Sequence, residues 1–463
     1  MKYRPIAAFF ATCAALAPAL AAAQTPDEMM KEIRRLEASM AGMKMSIQEL
    51  EASLKTRDGA SNELPSEQTR QLNRTVVRVD SLEEANETLG RNRLKISGVM
   101  DPSFIATSGQ NRAGFQFLDS GENFEYAFDN GVFGMMQLDL QKEMDNGAKW
   151  RLSLSPNRGG GGIAINGKSI VHEASVSKPL SDDPSLRVIA GQIPDWSGYE
   201  FAQPNLNKLV THNLLFDFTL PAVYTGAGLE KADGPWLFKA MLANVNASKR
   251  KAGEKAAALV YRGDYYASEF GGFGFAGMHG KAANFRADDG VGNPVTGLPY
   301  DLGDSVVNTF ELDGYYIRGD WTINGQVSVG SQKNAAITAD PVTGELRNSL
   351  WWGASALAAY KFTPRAEGVL RVDYLNNQKN GGGTLGWVFP DNRNGLGPDL
   401  SGDPEIGANR TAVSLGARFL IDQNMTLKTE FRLDRASLPV FMDQDGDYKR
   451  SNRLFGASLV MGF

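Results

Sequence analysis

From Leu94 onward, apolar and polar residues alternate with a period of two. Trp321, Ile323, Val327 and Val329 fall on one face of their segment, and Thr322, Asn324, Gln326 and Ser328 on the other. Met425, Leu427, Phe431 and Leu433 alternate with Thr426, Lys428, Glu430, Arg432 and Asp434, and Trp150, Leu152 and Leu154 with Arg151 and Ser153. This spacing predicts β-strands with one apolar and one polar face. The pattern marks sixteen, at 95–106, 132–144, 148–156, 168–178, 185–193, 222–231, 235–245, 255–263, 270–282, 305–318, 320–331, 350–362, 366–376, 410–421, 425–435 and 453–463.

The connections between these segments alternate. Asp145-Asn146-Gly147, 179–184, Ala232-Asp233-Gly234, Gly319, 363–365 and 422–424 are tight. The stretches 107–131, 157–167, 194–221, 283–304, 332–349, 377–409 and 436–452 are long and rich in Gly, Asp, Asn and Pro. Short turns at one end and long loops at the other are the layout of a transmembrane β-barrel. A soluble sandwich has no reason to alternate so regularly. The expected fold is therefore an all-β transmembrane barrel of about 16 antiparallel strands over 91–463. An even strand count places both barrel ends at the short-turn, periplasmic side. The last strand carries Phe455, Ala457, Leu459, Met461 and Phe463 on one face. A terminal strand closing on an aromatic resembles the assembly signal of Gram-negative outer-membrane proteins, which marks Phe463 and implies the outer-membrane assembly machinery as a partner.

Residues 24–90 follow another rule. Met29, Ile33, Leu36, Met40, Met43, Ile47, Leu50 and Leu54 alternate spacings of four and three. That is an a/d heptad seam and predicts an N-terminal α-helical coiled coil, because a 3.5-residue period calls for a helical partner along its length. Asp58-Gly59 ends the seam, Pro65 punctuates a linker, and a weaker helical run follows with Leu72, Val76, Val79, Leu82 and Leu89. The plainer alternative is one amphipathic helix packed on the rest of the chain. Residues 1–23 carry Lys2 and Arg4, an apolar stretch from Ile6 to Leu20 and then Ala21-Ala22-Ala23, which reads as a secretory signal peptide. The sole cysteine, Cys13, lies inside it, so disulfides, thiol chemistry and cysteine-bound metals are excluded from the mature chain.

Composition agrees with an exported β-protein. Gly accounts for 50 of 463 residues and aromatics for 10%. A net charge of −5 offers no footprint for nucleic acid. Mean hydropathy is −0.29, and no mature segment reaches the apolar length of a membrane-spanning helix. Candidate chemistry is thin. Gly162 to Ser169 reads GIAINGKS, the spacing of a phosphate-binding loop, but Asn157-Arg158-Gly159-Gly160-Gly161 precedes it in place of a strand. The period-two run Ile170–Lys178 follows where a helix is needed. Gly303-Asp304-Ser305-Val306 resembles one lipase nucleophile block, yet the last histidine is His279. Asp443-Gln444-Asp445-Gly446-Asp447 looks like half a calcium loop without its distal Glu. No triad assembles from His172, His212 and His279. An enzyme, a metal site and a cofactor are not expected.

The segment from Val188 to Glu200, continuing through Asn205, Thr211–Phe216, Leu220-Pro221 and Tyr224–Gly228, resembles Gram-negative outer-membrane β-barrel porins of the OmpL-like kind. Gln192 stands where that family usually has Lys. The layout of a heptad stretch before sixteen strands is also similar to phosphate- or anion-selective porins, without their repeated arginine ladder. The resemblance implies a water-filled channel for passive diffusion of small hydrophilic solutes, a homotrimer in outer-membrane lipid, and no nucleic-acid partner. It also implies that the loop between the fifth and sixth strands folds into the channel, so that Asp195, Glu200, Lys208 and His212 line a constriction. Strand parity points Arg151, Arg187, Lys239, Arg262, Lys361, Arg371, Arg418, Lys428 and Arg432 inward, with Asp139, Glu173, Glu311, Asp313, Asp373, Glu430 and Asp434. That near balance predicts weak selectivity with a slight lean to anions. Two rivals stand beside the porin: a closed barrel tethered to peptidoglycan through the coiled coil, and a barrel enzyme.

Overall fold

The computed structural model describes residues 94–463 apart from 110–113, 119–133, 156–169, 222, 246–256, 283, 285–291, 301–303, 386–394, 400–401 and 444. The signal peptide, the heptad stretch and GIAINGKS lie outside the described residues. One sheet contains eighteen strand pieces, and these make sixteen strands because the first two strands are each in two pieces. They are β1 (Leu94–Met100 with Ser103–Thr107), β2 (Gly114–Gln116 with Met136–Glu143), β3 (Lys149–Leu154), β4 (Val171–Pro179), β5 (Leu186–Pro194), β6 (Val223–Asp233), β7 (Trp236–Val245) and β8 (Ala258–Ser268). The second half comprises β9 (Gly271–Ala282), β10 (Ser305–Arg318), β11 (Trp321–Gln332), β12 (Ser349–Lys361), β13 (Ala366–Asn376), β14 (Arg410–Leu420), β15 (Met425–Ala436) and β16 (Ser451–Gly462). Each pairs antiparallel with the next, and β16 returns to β1 through Met100↔Met461 and Ser103↔Ser458, so the barrel is closed. Closure removes the sheet edges that a membrane could not satisfy.

The alternation now has a physical cause. Trp321, Ile323, Val327 and Val329 are about half exposed on the outer surface, while Thr322, Gln326 and Ser328 are buried. Aromatics mark two levels on that surface. Trp321 packs against Tyr360 with ring centres 4.8 Å apart, and Trp236 against Tyr265 at 4.7 Å, near the short turns. Trp352 packs against Tyr374 with ring centres 5.2 Å apart near the long loops. Trp352 lies opposite Val329, eight residues along β11 from Trp321, which is roughly 26 Å of strand. With the strand tilt of a barrel this matches an apolar band of about 25 Å between aromatic girdles.

Most boundaries fall within three residues of the expected ones, and two differ by more. The eighth strand was expected to end at 263, but β8 runs to Ser268 and turns at 269–270. Gly263 reads as a stop, yet it sits within the sheet under the rings of Phe275 and Phe238. A Cβ there would lie 2.5 Å from the Phe275 ring. The second strand was expected to start at 132, but its first piece pairs with β1 at Ile105↔Gly114 and the rest resumes at Met136. Asp101-Pro102 interrupts β1 because Pro102 has no N–H. The Asp101 carboxylate accepts the Met135 N–H at 2.6 Å across the break.

An arginine at Val327, on the outward face near mid-height, should destabilise the barrel by about 2–4 kcal/mol, and an arginine at Ser331 near the long loops by about 0–1 kcal/mol. Equilibrium unfolding from lipid vesicles measures both. Equal costs would mean that this face does not meet hydrocarbon.

Candidate functional site

The connection 195–221 between β5 and β6 touches strands that no outer-surface loop could reach together. It contacts β7 through Trp196, β11 through Asn213, β12 through Tyr199, β13 through Thr211 and β15 through Val210. Only a path inside the barrel reaches all of them. The loop therefore lies on the interior face of the wall.

Two devices hold it there. The first is a dry charge cluster. Arg371 on β13 is 0% exposed. Its guanidinium donates to Glu200 at 2.9 Å, the Thr211 carbonyl at 2.7 Å, the Thr211 hydroxyl at 2.8 Å, the His212 carbonyl at 2.8 Å and Asp373 at 3.1 Å. Glu430 on β15 accepts the N–H groups of Val210 at 2.9 Å and Thr211 at 2.7 Å, and the Thr211 hydroxyl at 2.7 Å. Arg432 donates to Thr211 and His212, and to Asp434, which also takes Arg410 at 2.8 Å. Lys428 donates to the carbonyls of Pro204, Asn207 at 2.6 Å and Leu209. Buried charges persist only when paired and hydrogen-bonded, and here wall and loop supply each other's partners.

The second device is apolar. Asn213 caps the short helix α1 (Leu214–Phe218) by accepting the Phe216 N–H at 2.8 Å. Leu214, Leu215 and Phe218 are fully buried, with Val245, Val260, Met278, Val307, Trp351 and Leu375 of the surrounding wall. Leu385 and Leu396, from the long connection after β13, join the same core. Gly353 leaves the space for Leu215, since a Cβ there would lie 2.4 Å from the leucine. This core takes residues from β5 to β14.

Of the remaining interior charges, Glu311, Glu173, Asp139 and Glu367 are buried, Glu311 accepting from the Gln326 amide at 2.8 Å, whereas Arg151, Lys239 and Glu230 keep contact with solvent. Side-chain exposure is 39% for Arg151, 26% for Lys239 and 24% for Glu230, against 0% for Arg371, Arg410 and Arg432. Arg151 lies between Asp139 at 2.8 Å and Glu173 at 3.3 Å. Arg262 lies between Asp264 at 2.7 Å and Asp313 at 2.6 Å. Arg418 and Lys208 share Glu367, at 2.7 and 2.6 Å. Arg187 donates to Ser177 and to the Gly147 carbonyl near the short turns, and Lys361 is exposed at the end of β12. Above Arg151, the interior of β2–β4 carries Gln137, Ser153 and Ser155, all buried.

The four loop residues separate by environment. Asp195 accepts the hydroxyls of Tyr224 and Ser197, and burial pushes its carboxyl up to about 7. Burial likewise raises Glu200, against the pull of Arg371. Lys208 is lowered by burial despite Glu367. His212 stacks on Phe216 at 4.1 Å, and burial holds its imidazole down to about 4. Glu200 and His212 are thus anchoring groups within the loop–wall contact, and Asp195 sits at the loop root. Sequence parity passed over Glu230, Asp264, Glu367 and Arg410, although each shares the inward parity of a counted residue. The apolar helix had a legible signal in Asn213 followed by Leu-Leu-Phe, but nothing along the chain said what it would meet. In the half-calcium loop, Lys449 sits 3.2 Å from Asp443 and 3.1 Å from Asp447, so a lysine ammonium occupies the acidic turn. His279 bonds with the Tyr261 hydroxyl and Asn308, not with Ser305.

A family model described as a protein of unknown function, DUF3138, matches residues 65–463. The chain belongs to the DUF3138 family. No curated protein matches it in sequence. Among solved structures it is similar to OprB of Pseudomonas putida, with 10% identity and a TM-score of 0.51 over 82% of this chain and 96% of that one. It is also similar to an anion-selective porin from Comamonas acidovorans, with 11% identity and a TM-score of 0.49 over 80% and 99%. The trimer form of OmpT, an outer-membrane protein of Vibrio cholerae, gives 11% identity and a TM-score of 0.46 over 80% and 99%. At 10% identity the likeness to OprB is one of fold: a closed antiparallel β-barrel.

Replacing Arg371 with Ala strands Glu200, Asp373 and Glu430 without their guanidinium and should cost about 3–5 kcal/mol. It should also expose 199–213 to protease added to the folded barrel. An unchanged unfolding midpoint and an uncut loop would show that the cluster does not hold the loop.

Proposed function

We propose that the protein is an outer-membrane porin for passive diffusion of small hydrophilic solutes, and not an enzyme. The observation that carries this reading is the charged interior of a sixteen-strand barrel with an infolded loop that leaves part of the wall wet. The loop leans on β11–β16, and α1 seals the outer half of the interior from β5 to β14. Solutes then pass off-axis, along the part of the wall where Arg151, Lys239 and Glu230 keep solvent contact, with Asp139 and Glu173 buried behind Arg151 as its partners. Such a pore is narrower than the bore of a barrel of this size. Asp195 and Lys208 act at its margin.

The pairing of the interior charges weighs against the slight anion lean. Arg371, Lys428 and Arg432 are consumed by the loop contact together with Asp373, Glu430 and Asp434, while Glu230 and Asp264 join the partly exposed acids. Weak selectivity without anion preference follows. A homotrimer with the heptad stretch as a periplasmic stalk fits the reading, since the seam needs partner helices. Phe463 serves outer-membrane assembly. One observation favours the rival closed barrel tethered to peptidoglycan: the apolar seal around α1.

Bilayer recordings separate the two. An open pore gives unit steps well below a nanosiemens, grouped in threes for a trimer. Arg151→Glu should move the reversal potential toward cation preference, whereas the anchoring charges are unsuited to that test because they hold the loop. Absence of steps from folded protein favours the tether. Replacing Leu214, Leu215 and Phe218 together by Ala should then raise conductance if the seal limits flow, and leave it unchanged if it does not.

Asp195 adds a pH dependence. Its carboxyl is mostly neutral below about 7 and charged above. Cation preference should therefore increase as pH rises through 7 and should lose that step in Asp195→Asn. A pH-independent reversal potential in the native chain would remove Asp195 from the conducting path.

A further inference from the structure

The described interior arginines of this barrel are all engaged by acceptors; three exposed on the last hairpin are not, and what sets them apart from the equally unpaired Arg318 and Arg365 at the short turns is that they cluster at the long-loop end. Arg435 at the end of β15, Arg450 just before β16 and Arg453 within it are exposed. Among the described residues none of their guanidinium groups has a carboxylate or other acceptor, in a chain with more acids than bases. The nearest acidic turn is occupied, because Asp443 and Asp447 are held by Lys449.

Register places two of these groups at a particular height. Arg435 lies opposite Thr411 on one side and Ser451 on the other, and Thr411 lies opposite Tyr374. Tyr374 belongs to the aromatic pair with Trp352 at the long-loop boundary of the apolar band. Arg435 and Arg453 also share the outward parity of Phe431, Leu433 and Phe455, with Arg453 opposite Leu433. They are thus diagonal neighbours across β15 and β16, on the membrane face, at the level of the lipid headgroups. Like charges so placed repel each other, and no acidic group among the described residues pairs with them. Long cationic side chains at this height extend into the headgroup layer.

We propose that the outward face of the β15–β16 hairpin binds a phosphorylated lipid of the outer leaflet, with Arg435 and Arg453 gripping phosphate and Arg450 beside them. The guanidinium fork suits a phosphate with its several acceptor oxygens, and Thr411 and Ser451 add hydroxyl donors in the same row. The partner is a lipid and not a soluble anion, because Phe431, Leu433 and Phe455 continue the face below the arginines and suit acyl chains. This inference rests on the barrel's membrane location and not on the pore.

The test uses full-length protein stripped of lipid in detergent and titrated with lipid A, read by native mass spectrometry. The wild type should retain bisphosphorylated lipid A and bind a dephosphorylated form at least tenfold more weakly. Arg435→Ala with Arg453→Ala should weaken retention of the bisphosphorylated form at least tenfold. Arg365→Ala, an exposed arginine at a short turn, should change nothing. Equal retention of both lipids by the wild type overturns the proposal without any mutant, which covers failure of the double variant to fold. Undiminished binding by a folded double variant also overturns it. So does competition by millimolar inorganic phosphate with no requirement for the acyl chains. A double variant that changes subunit count while keeping lipid would assign the arginines to a second copy of the chain.

Discussion

A guanidinium shut away from water must find all its acceptors in protein, and the arrangement of this barrel's interior depends on how Arg371 does so. Its partners come from two sources: Asp373 on the wall, and Glu200 with the Thr211–His212 backbone on the loop. Neither source suffices alone. With the loop absent, Arg371 would keep only wall partners such as Asp373 beside it on β13 and would face an aqueous bore; with Arg371 absent, Glu200 would be a carboxylate buried beside Glu430. Loop and wall therefore dock together, and Lys428, Arg432 and Glu430 extend the same logic to the backbone from Pro204 to His212.

That docking positions α1. Once Thr211 and His212 are fixed, Asn213 caps the helix and the next five residues project into the outer half of the interior. Apolar side chains on the inner wall of a membrane barrel are out of place if the bore is filled with water. Val260, Met278, Val307, Trp351 and Leu375 are accounted for because they meet Leu214, Leu215 and Phe218 instead. The barrel thus has two interiors, one dry and packed around the loop, the other polar and hydrated near Arg151 and Lys239. The outer surface obeys a third regime, apolar between aromatic girdles and cationic above them at the last hairpin.

Much of the architecture was legible along the chain because a strand's side chains alternate strictly. Every segment marked by the period of two corresponds to a strand, and the alternation of short and long connections survives folding. The errors came from local signals that tertiary contacts overrode. Gly263 looks like a terminator until Phe275 and Phe238 cover it, and Asp101-Pro102 looks continuous until the missing N–H is replaced across the break by Met135. Parity assigns a charge to a face, but it cannot tell whether water reaches it. Arg371 and Arg151 therefore look alike in sequence and differ wholly in surroundings.

The sequence by itself determined which residues form strands and which side chains share a face, because these depend on spacings within single segments. Only the tertiary structure decided which inward charges are spent on holding the loop, where the interior is dry, and which arginines lack acceptors. Those depend on contacts between residues as far apart as Thr211 and Glu430, which the chain brings together only when the barrel closes around its own loop.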